Sequence, residues 1–182
     1  MLVNWVIEPV DLPLIRRRCN VCPSDSFRPN GKFRINANHK LLDVWLLALC
    51  TGCGKTTKLT IMERTNVRDI PSTFLDRLHQ NDLSLAAELL QDPGVRRRNR
   101  IALDWGNAWR LDTGGAIPPG DEVTDVEVRF PTPFPVRAMR VIAEGCGISR
   151  SETEKLVSDG RIVSATSLDG KVSRDFVFTL KH

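Results

Sequence analysis

The sequence predicts an α+β protein, and three observations carry that prediction. The first segment reads as strands punctuated by two C-x-x-C pairs, the middle opens with helix-start signals and continues with strand-like runs, and the last stretch has the grammar of two capped helices followed by a hairpin. With 182 residues, 41% hydrophobic and 26% charged, the chain has the make-up of an ordinary folded protein with room for one or two domains. No apolar run reaches the roughly 18 residues of a membrane span, and Glu8 interrupts the opening stretch where a signal peptide carries an unbroken apolar core. A cytoplasmic location is the expectation.

The elements follow in order. Lys32-Phe33-Arg34-Ile35 alternates, Leu41 to Leu49 is mostly apolar, and Leu59, Ile61 and Glu63 continue as a strand. Pro71-Ser72 starts a helix with Phe74, Leu75 and Leu78 on one face. Asp82 caps a second, bearing Leu83, Leu85, Ala86, Leu89 and Leu90, which Pro93-Gly94 stops. Ile101 to Leu111 and Val123 to Phe130 read as strands separated by a loop over Thr113 to Gly120. Pro131, Pro133 and Pro135 remove three backbone donors and mark a boundary. Beyond it, a helix from Arg137 ends at Gly145, Ser149 and Glu152 form a capping box opening another, and Gly160 ends that one. Arg161 to Ala165 is a strand, Asp169-Gly170 a hairpin turn, and Phe176, Phe178 and Leu180 share a buried face.

Cys19-Asn20-Val21-Cys22 and Cys50-Thr51-Gly52-Cys53 are separated by 27 residues. Each pair fits a tight turn that aims two sulfurs at one point, and four thiolates suit a tetrahedral, structural Zn²⁺. The arrangement resembles a zinc ribbon with a long hairpin between its pairs. A closed four-thiolate site leaves no position for a reactive water, so this zinc is expected to support the fold and not a reaction. A redox dithiol is the competing use, without the helix N-terminus that lowers a thiol pKa. Cys146 is expected as a small core residue, and His39, His79 and His182 have no ligand spacing. The run Gly52-Cys53-Gly54-Lys55-Thr56 imitates the end of a phosphate loop, but Leu49 stands where its first glycine belongs and a strand is expected next instead of a helix.

Charge is uneven along the chain. Residues 1–70 hold eleven Lys/Arg against six Asp/Glu, residues 71–135 seven against ten, and residues 136–182 eight against six. The basic excess sits in the end segments, which suits a polyanion partner as well as a solvated surface. Arg96, Arg97, Arg98 and Arg100 are accounted for as cations at a helix C-terminus.

Arg137-Ala138-Met139-Arg140-Val141-Ile142-Ala143-Glu144, Gly147-Ile148-Ser149-Arg150, Lys155-Leu156-Val157 and Gly160-Arg161-Ile162 together resemble the RNA-binding domain named after ribosomal protein S-four. The resemblance covers about residues 136–182. It implies that Arg137, Arg150, Lys155 and Arg161 face structured RNA; Arg140 and Lys171 join them as expected phosphate contacts. Glu152 stands where the family often has a basic residue, and Met139 where an aspartate is common. Arg150 at a helix start and Arg137 and Arg140 at the neighbouring one are placed to hold one anion between them.

Over nearly its whole length the chain resembles the uncharacterised bacterial family catalogued as domain of unknown function 1062. The carrying residues are Asn4-Trp5-Val6-Ile7, Pro9-Val10, the cysteine pair after Arg16-Arg17-Arg18, Gly31 to Ala37, Lys40 to Leu46 and Glu63-Arg64. The resemblance implies an order of zinc-ribbon-like domain (1–70), connecting helices and strands (71–135) and S-four-like domain (136–182). The expected function is non-enzymatic binding of structured RNA, with ribosomal particles as a setting and Arg16, Arg17, Arg18 and Lys55 extending the path. The alternative is a protein-interaction adaptor docking on Trp105 and Trp109 or on the two ends, with Trp5 and Trp45 in the core. An enzyme ranks third, since no nucleophile–base ordering or open metal site is visible.

Overall fold

The computed structural model describes residues 2–115 and 123–181. The expected Thr113 to Gly120 loop lies outside them from Ala116 onward. The strands are β1 (Leu2–Pro9), β2 (Leu14–Arg16), β3 (Ser26–Asn38), β4 (Leu41–Cys50), β5 (Thr56–Asn66), β6 (Ala102–Asp104), β7 (Trp109–Asp112), β8 (Val123–Arg129), β9 (Val136–Arg137), β10 (Ile162–Val163), β11 (Lys171–Val172) and β12 (Phe176–Lys181). The α-helices are α1 (Ser72–His79), α2 (Leu83–Gln91), α3 (Pro93–Asn99), α4 (Ala138–Cys146) and α5 (Arg150–Ser158). The fold is α+β, and no helix among the described residues is long and apolar enough to cross a membrane.

Two compact units divide the chain differently from the three expected segments. One comprises residues 12–106; the other joins residues 1–11 to residues 107–182. In the first, β5-β4-β3-β2-β6 form one antiparallel sheet. Leu42, Val44, Leu46, Ala48 and Cys50 alternate inward along β4, and Leu59 and Ile61 do so on β5. Leu78, Leu85, Ala86, Leu90 and Val95 from the three helices share a single apolar core with those strands and with Cys19 and Cys50. The helical middle is therefore part of the cysteine-bearing unit.

Local chemistry sets the helix boundaries. Asp82 caps α2 by accepting from the amides of Ser84 and Leu85, and Arg77 Nε donates to the same carboxylate at 2.7 Å. Pro93-Gly94 does not simply stop the chain's helical run. Asp92 ends α2 and caps α3 by accepting from Val95, and Pro93 occupies the first turn, where its missing N–H costs nothing. Asn99 then fastens α3 to the outer strand β5: its Oδ1 accepts from the Thr60 amide at 2.8 Å and its Nδ2 donates to the Thr60 carbonyl at 2.9 Å.

The other unit is built on the sheet β10-β12-β8-β1-β7. β1 runs parallel to β8, pairing Trp5 with Val128, and antiparallel to β7. The first strand of the chain thus lies inside a sheet made otherwise by its C-terminal part. Trp5, Val126, Val128, Phe176 and Phe178 meet in the core, with Trp5 edge-on to Phe178 at 5.4 Å. Helix α4 buries Ala138, Val141 and Ile142, a helical i, i+3, i+4 stripe. It runs one residue past the expected stop, and Gly147, left-handed at φ 66°, is its C-cap.

Ser149 accepts from the Glu152 amide at 3.1 Å, as the cap predicts. The C-terminal hairpin differs from expectation. The first strand is only Ile162–Val163 and pairs with β12, while the chain after Asp169-Gly170 enters β11, which pairs with β9. The register explains it: Phe176, Phe178 and Leu180 are matched along β8, so β12 is held there, and Val172 is buried with Val136 instead.

Candidate functional site

The two cysteine turns are joined by the β3–β4 hairpin, which occupies most of the spacing between the pairs. The Sγ atoms of Cys19, Cys22, Cys50 and Cys53 all lie within 4.8 Å of one another. Cys19 and Cys53 are 3.8 Å apart and Cys22 and Cys50 3.5 Å. A tetrahedron with metal–sulfur bonds of about 2.3 Å has sulfur–sulfur edges of about 3.8 Å. The four thiols therefore form a group of the right size for a metal ion.

The backbone around them is shaped for sulfur. The Val21 amide donates to Cys19 Sγ at 3.4 Å. A Cβ on Gly52 would stand 3.1 Å from Cys22 Sγ and 3.0 Å from Ser24 Cβ, and Gly54 takes φ 71° to turn the chain away. Thr51 ties the turns together through its hydroxyl, 2.7 Å from Ser26 Oγ and 3.0 Å from Ser24 Oγ.

The amides of Cys53 and then Gly52 lower the Cys50 thiol to about 6. At Cys22 the Ser24 amide pulls the thiol down, but desolvation and the sulfurs of Cys50, Cys53 and Cys19 outweigh it and push the thiol up to about 12. Four sulfurs this close cannot all ionise against their mutual repulsion unless a cation sits among them.

Thr56, where a phosphate loop would begin its helix, opens strand β5. His39 is exposed in the turn at the far end of the β3–β4 hairpin from Cys50, and His182 lies outside the described residues. Cys146 belongs to the other unit and is half-buried, its thiol pushed up to about 11 by burial.

The expected phosphate contacts divide. Arg137, Arg140 and Arg150 line one pocket of about 160 Å³, closed on its other side by Leu168, Asp169 and Gly170. The pocket lies where α4 and α5 begin, with Arg137 at the N-cap of α4 and Arg150 the first residue of α5. Arg150 donates to Glu154 at 2.8 Å, and Arg140 lies over the Trp109 ring at 4.9 Å with Nη2 3.0 Å from Asn107 Oδ1. Arg161, Lys155 and Lys171 are exposed and do not line this pocket; Arg161 donates to the Lys181 carbonyl.

Of the tryptophans, Trp45 departs from expectation, while Trp105 and Trp109 take the core role that general burial favours for them. Trp105 and Trp109 are 4% and 7% exposed, so neither offers an open aromatic anchor. Trp45 faces away from the core, half-buried under Lys58 Nζ at 4.9 Å.

A family model described as Protein of unknown function (DUF1062) matches residues 35–168, well over half of the sequence. The chain belongs to that family. In this DUF1062 protein the matched stretch contains Cys50, Cys53, Arg137, Arg140 and Arg150, and it begins after Cys19 and Cys22. No curated protein and no solved structure matches the chain.

Proposed function

We propose that this protein is a non-enzymatic, zinc-stabilised binder of structured RNA, in which a zinc-ribbon-like unit accompanies an S-four-like one. The observation that carries the reading is the convergence of Arg137, Arg140 and Arg150 on one pocket at the starts of two helices. Guanidinium groups there reinforce the positive ends of both helix dipoles and offer forked donors to a phosphate. Lys155, Arg161 and Lys171 continue the contact along the exposed surface. The Arg150–Glu154 pair is solvent-exposed and worth at most about 1 kcal/mol, so a phosphate competes with it on favourable terms.

Cys19, Cys22, Cys50 and Cys53 would hold the zinc, which supplies cross-linking of the two turns. Ribosomal particles are the first place to look for the RNA.

Titrating labelled structured RNA with purified protein across a salt series tests the reading. With about five phosphates neutralised, log affinity is expected to fall with log salt at a slope near −4. Glu152→Arg is expected to tighten binding and the Arg137→Gln/Arg150→Gln pair to weaken it. An absent or salt-insensitive RNA signal overturns the proposal. Sequencing RNA crosslinked to the protein in cells then identifies the partner.

A further inference from the structure

The arginines of α3 do not share one role. Arg98 turns against the sheet, its Nη1 donating to the Ile61 carbonyl at 2.7 Å. Arg96, Arg97 and Arg100 instead line an open pocket of about 510 Å³ together with Pro93 and, from β2, Arg16. Positions 93, 96 and 97 fall on one helix face at i, i+3 and i+4, and Arg100 follows as the left-handed C-cap at φ 52°.

Cations near a helix C-terminus ordinarily complement its free carbonyls. Here the carbonyls of Arg96 and Arg97 already accept from the backbone amides of Ile101 and Arg100, at 3.1 and 3.2 Å. Those two carbonyls are met by the backbone and need no side chain. Arg16 is neutralised by Asp104 at 2.6 Å and Asp25 at 3.2 Å. Among the described residues, no carboxylate forms an ion pair with Arg96, Arg97 or Arg100. Arg96 Nε is also buried without a hydrogen-bond acceptor. Arg96 is partly buried with its Nε unmet, and the exposed Arg97 and Arg100 complete an uncompensated cationic rim that an anion would neutralise.

We propose that this pocket is a phosphate-binding site. Guanidinium forks match phosphate oxygens in pairs, and three of them around one concavity favour a ligand with adjacent phosphates over a single carboxylate. The unit that carries the pocket has sixteen Lys/Arg against nine Asp/Glu, a field that draws in such polyanions. The site involves none of the residues of the Arg137–Arg140–Arg150 pocket, so it does not depend on the RNA reading of that pocket.

The test is side-chain NMR of arginine Nε–Hε groups in the full-length, metal-loaded protein, titrated with pyrophosphate at constant ionic strength. Arg96, Arg97 and Arg100 signals are expected to shift saturably. Arg97→Gln with Arg100→Gln should weaken binding about tenfold or more, as the loss of two charge-assisted contacts requires. Arg137→Gln with Arg150→Gln should leave it unchanged. Should the first pair fail to fold, Arg97→Lys with Arg100→Lys, which keeps charge but loses the fork, is expected to weaken binding by a smaller factor. Signals that stay put, drift without saturating, or respond equally in the Arg97/Arg100 variants overturn the site.

A structured RNA hairpin added to the Arg137/Arg150 variant separates the sources of phosphate. Displacement of pyrophosphate assigns the site to an RNA backbone, and retention assigns it to a small phosphorylated molecule.

Discussion

Gly145 sits where a methyl group has no room. A Cβ there would lie 2.3 Å from two ring carbons of Trp5, which is itself fully buried. Read in the sequence alone, this glycine is a helix stop; in the fold it is the second-to-last residue of α4 and lets the helix approach an aromatic ring. In the last turn of α4, Gly145→Ala gains at most about 1 kcal/mol in helix propensity, while forcing the ring aside in a filled core costs about 1–3 kcal/mol. The expected result is a midpoint lowered in thermal melting, partly restored when Trp5→Leu is added. Nothing along the chain links positions 5 and 145, so that contact was invisible before the strands were paired. The glycine that does end the helix, Gly147, was equally visible in the sequence, and only its φ of 66° distinguishes it.

At the scale of elements, the sequence is most legible where the determinant is local. The Asp82 cap, the Ser149 cap, the apolar run that becomes β4 and the inward Phe176, Phe178 and Leu180 are all short-range patterns, and each forms as read. Asn99 is different. Its amide imitates a neighbouring strand for Thr60 on the edge of the sheet, a pairing across 39 residues. Asn99→Ala would leave a half-buried backbone amide and carbonyl unmet and is expected to cost about 1–3 kcal/mol in urea unfolding. Hydrogen exchange at Thr60 gives the specific readout: its amide should lose protection while the centre of β4 keeps it. Equal protection in both proteins would show that α3 is held by its apolar face alone. The antiparallel pairing expected across Asp169-Gly170 forms between β10 and β12, but the chain after that turn first enters β11, a two-residue strand with too little pattern to declare its partner β9.

For the whole molecule, the decisive fact is that chain order and spatial order differ. Residues 12–106 share one core, and residues 1–11 supply a strand to the sheet of the other unit. A fragment spanning 12–106 is therefore expected to fold alone when given zinc, and to lose its cooperative transition with chelator or on Cys50→Ser. Residues 136–182 in isolation are expected to remain unfolded, since Phe176 and Phe178 would lose β8 and Trp5. Circular dichroism and one-dimensional NMR of the two fragments check both outcomes. A folded 136–182 fragment would show that this segment is autonomous after all.

The grouping also redraws the charge map. The cysteine-bearing unit carries sixteen Lys/Arg against nine Asp/Glu, and the unit with helices α4 and α5 ten against thirteen. By itself the sequence determined the α+β class, the four clustered cysteines, the main strands and the helix caps, because each depends on residues close together or on a repeated spacing. Tertiary structure alone decided which helices share the cysteine unit's core, that the opening strand belongs with the end of the chain, and which arginines surround a pocket unpaired. Those outcomes rest on contacts between distant residues, where burial and pairing select among partners that local pattern treats as equivalent.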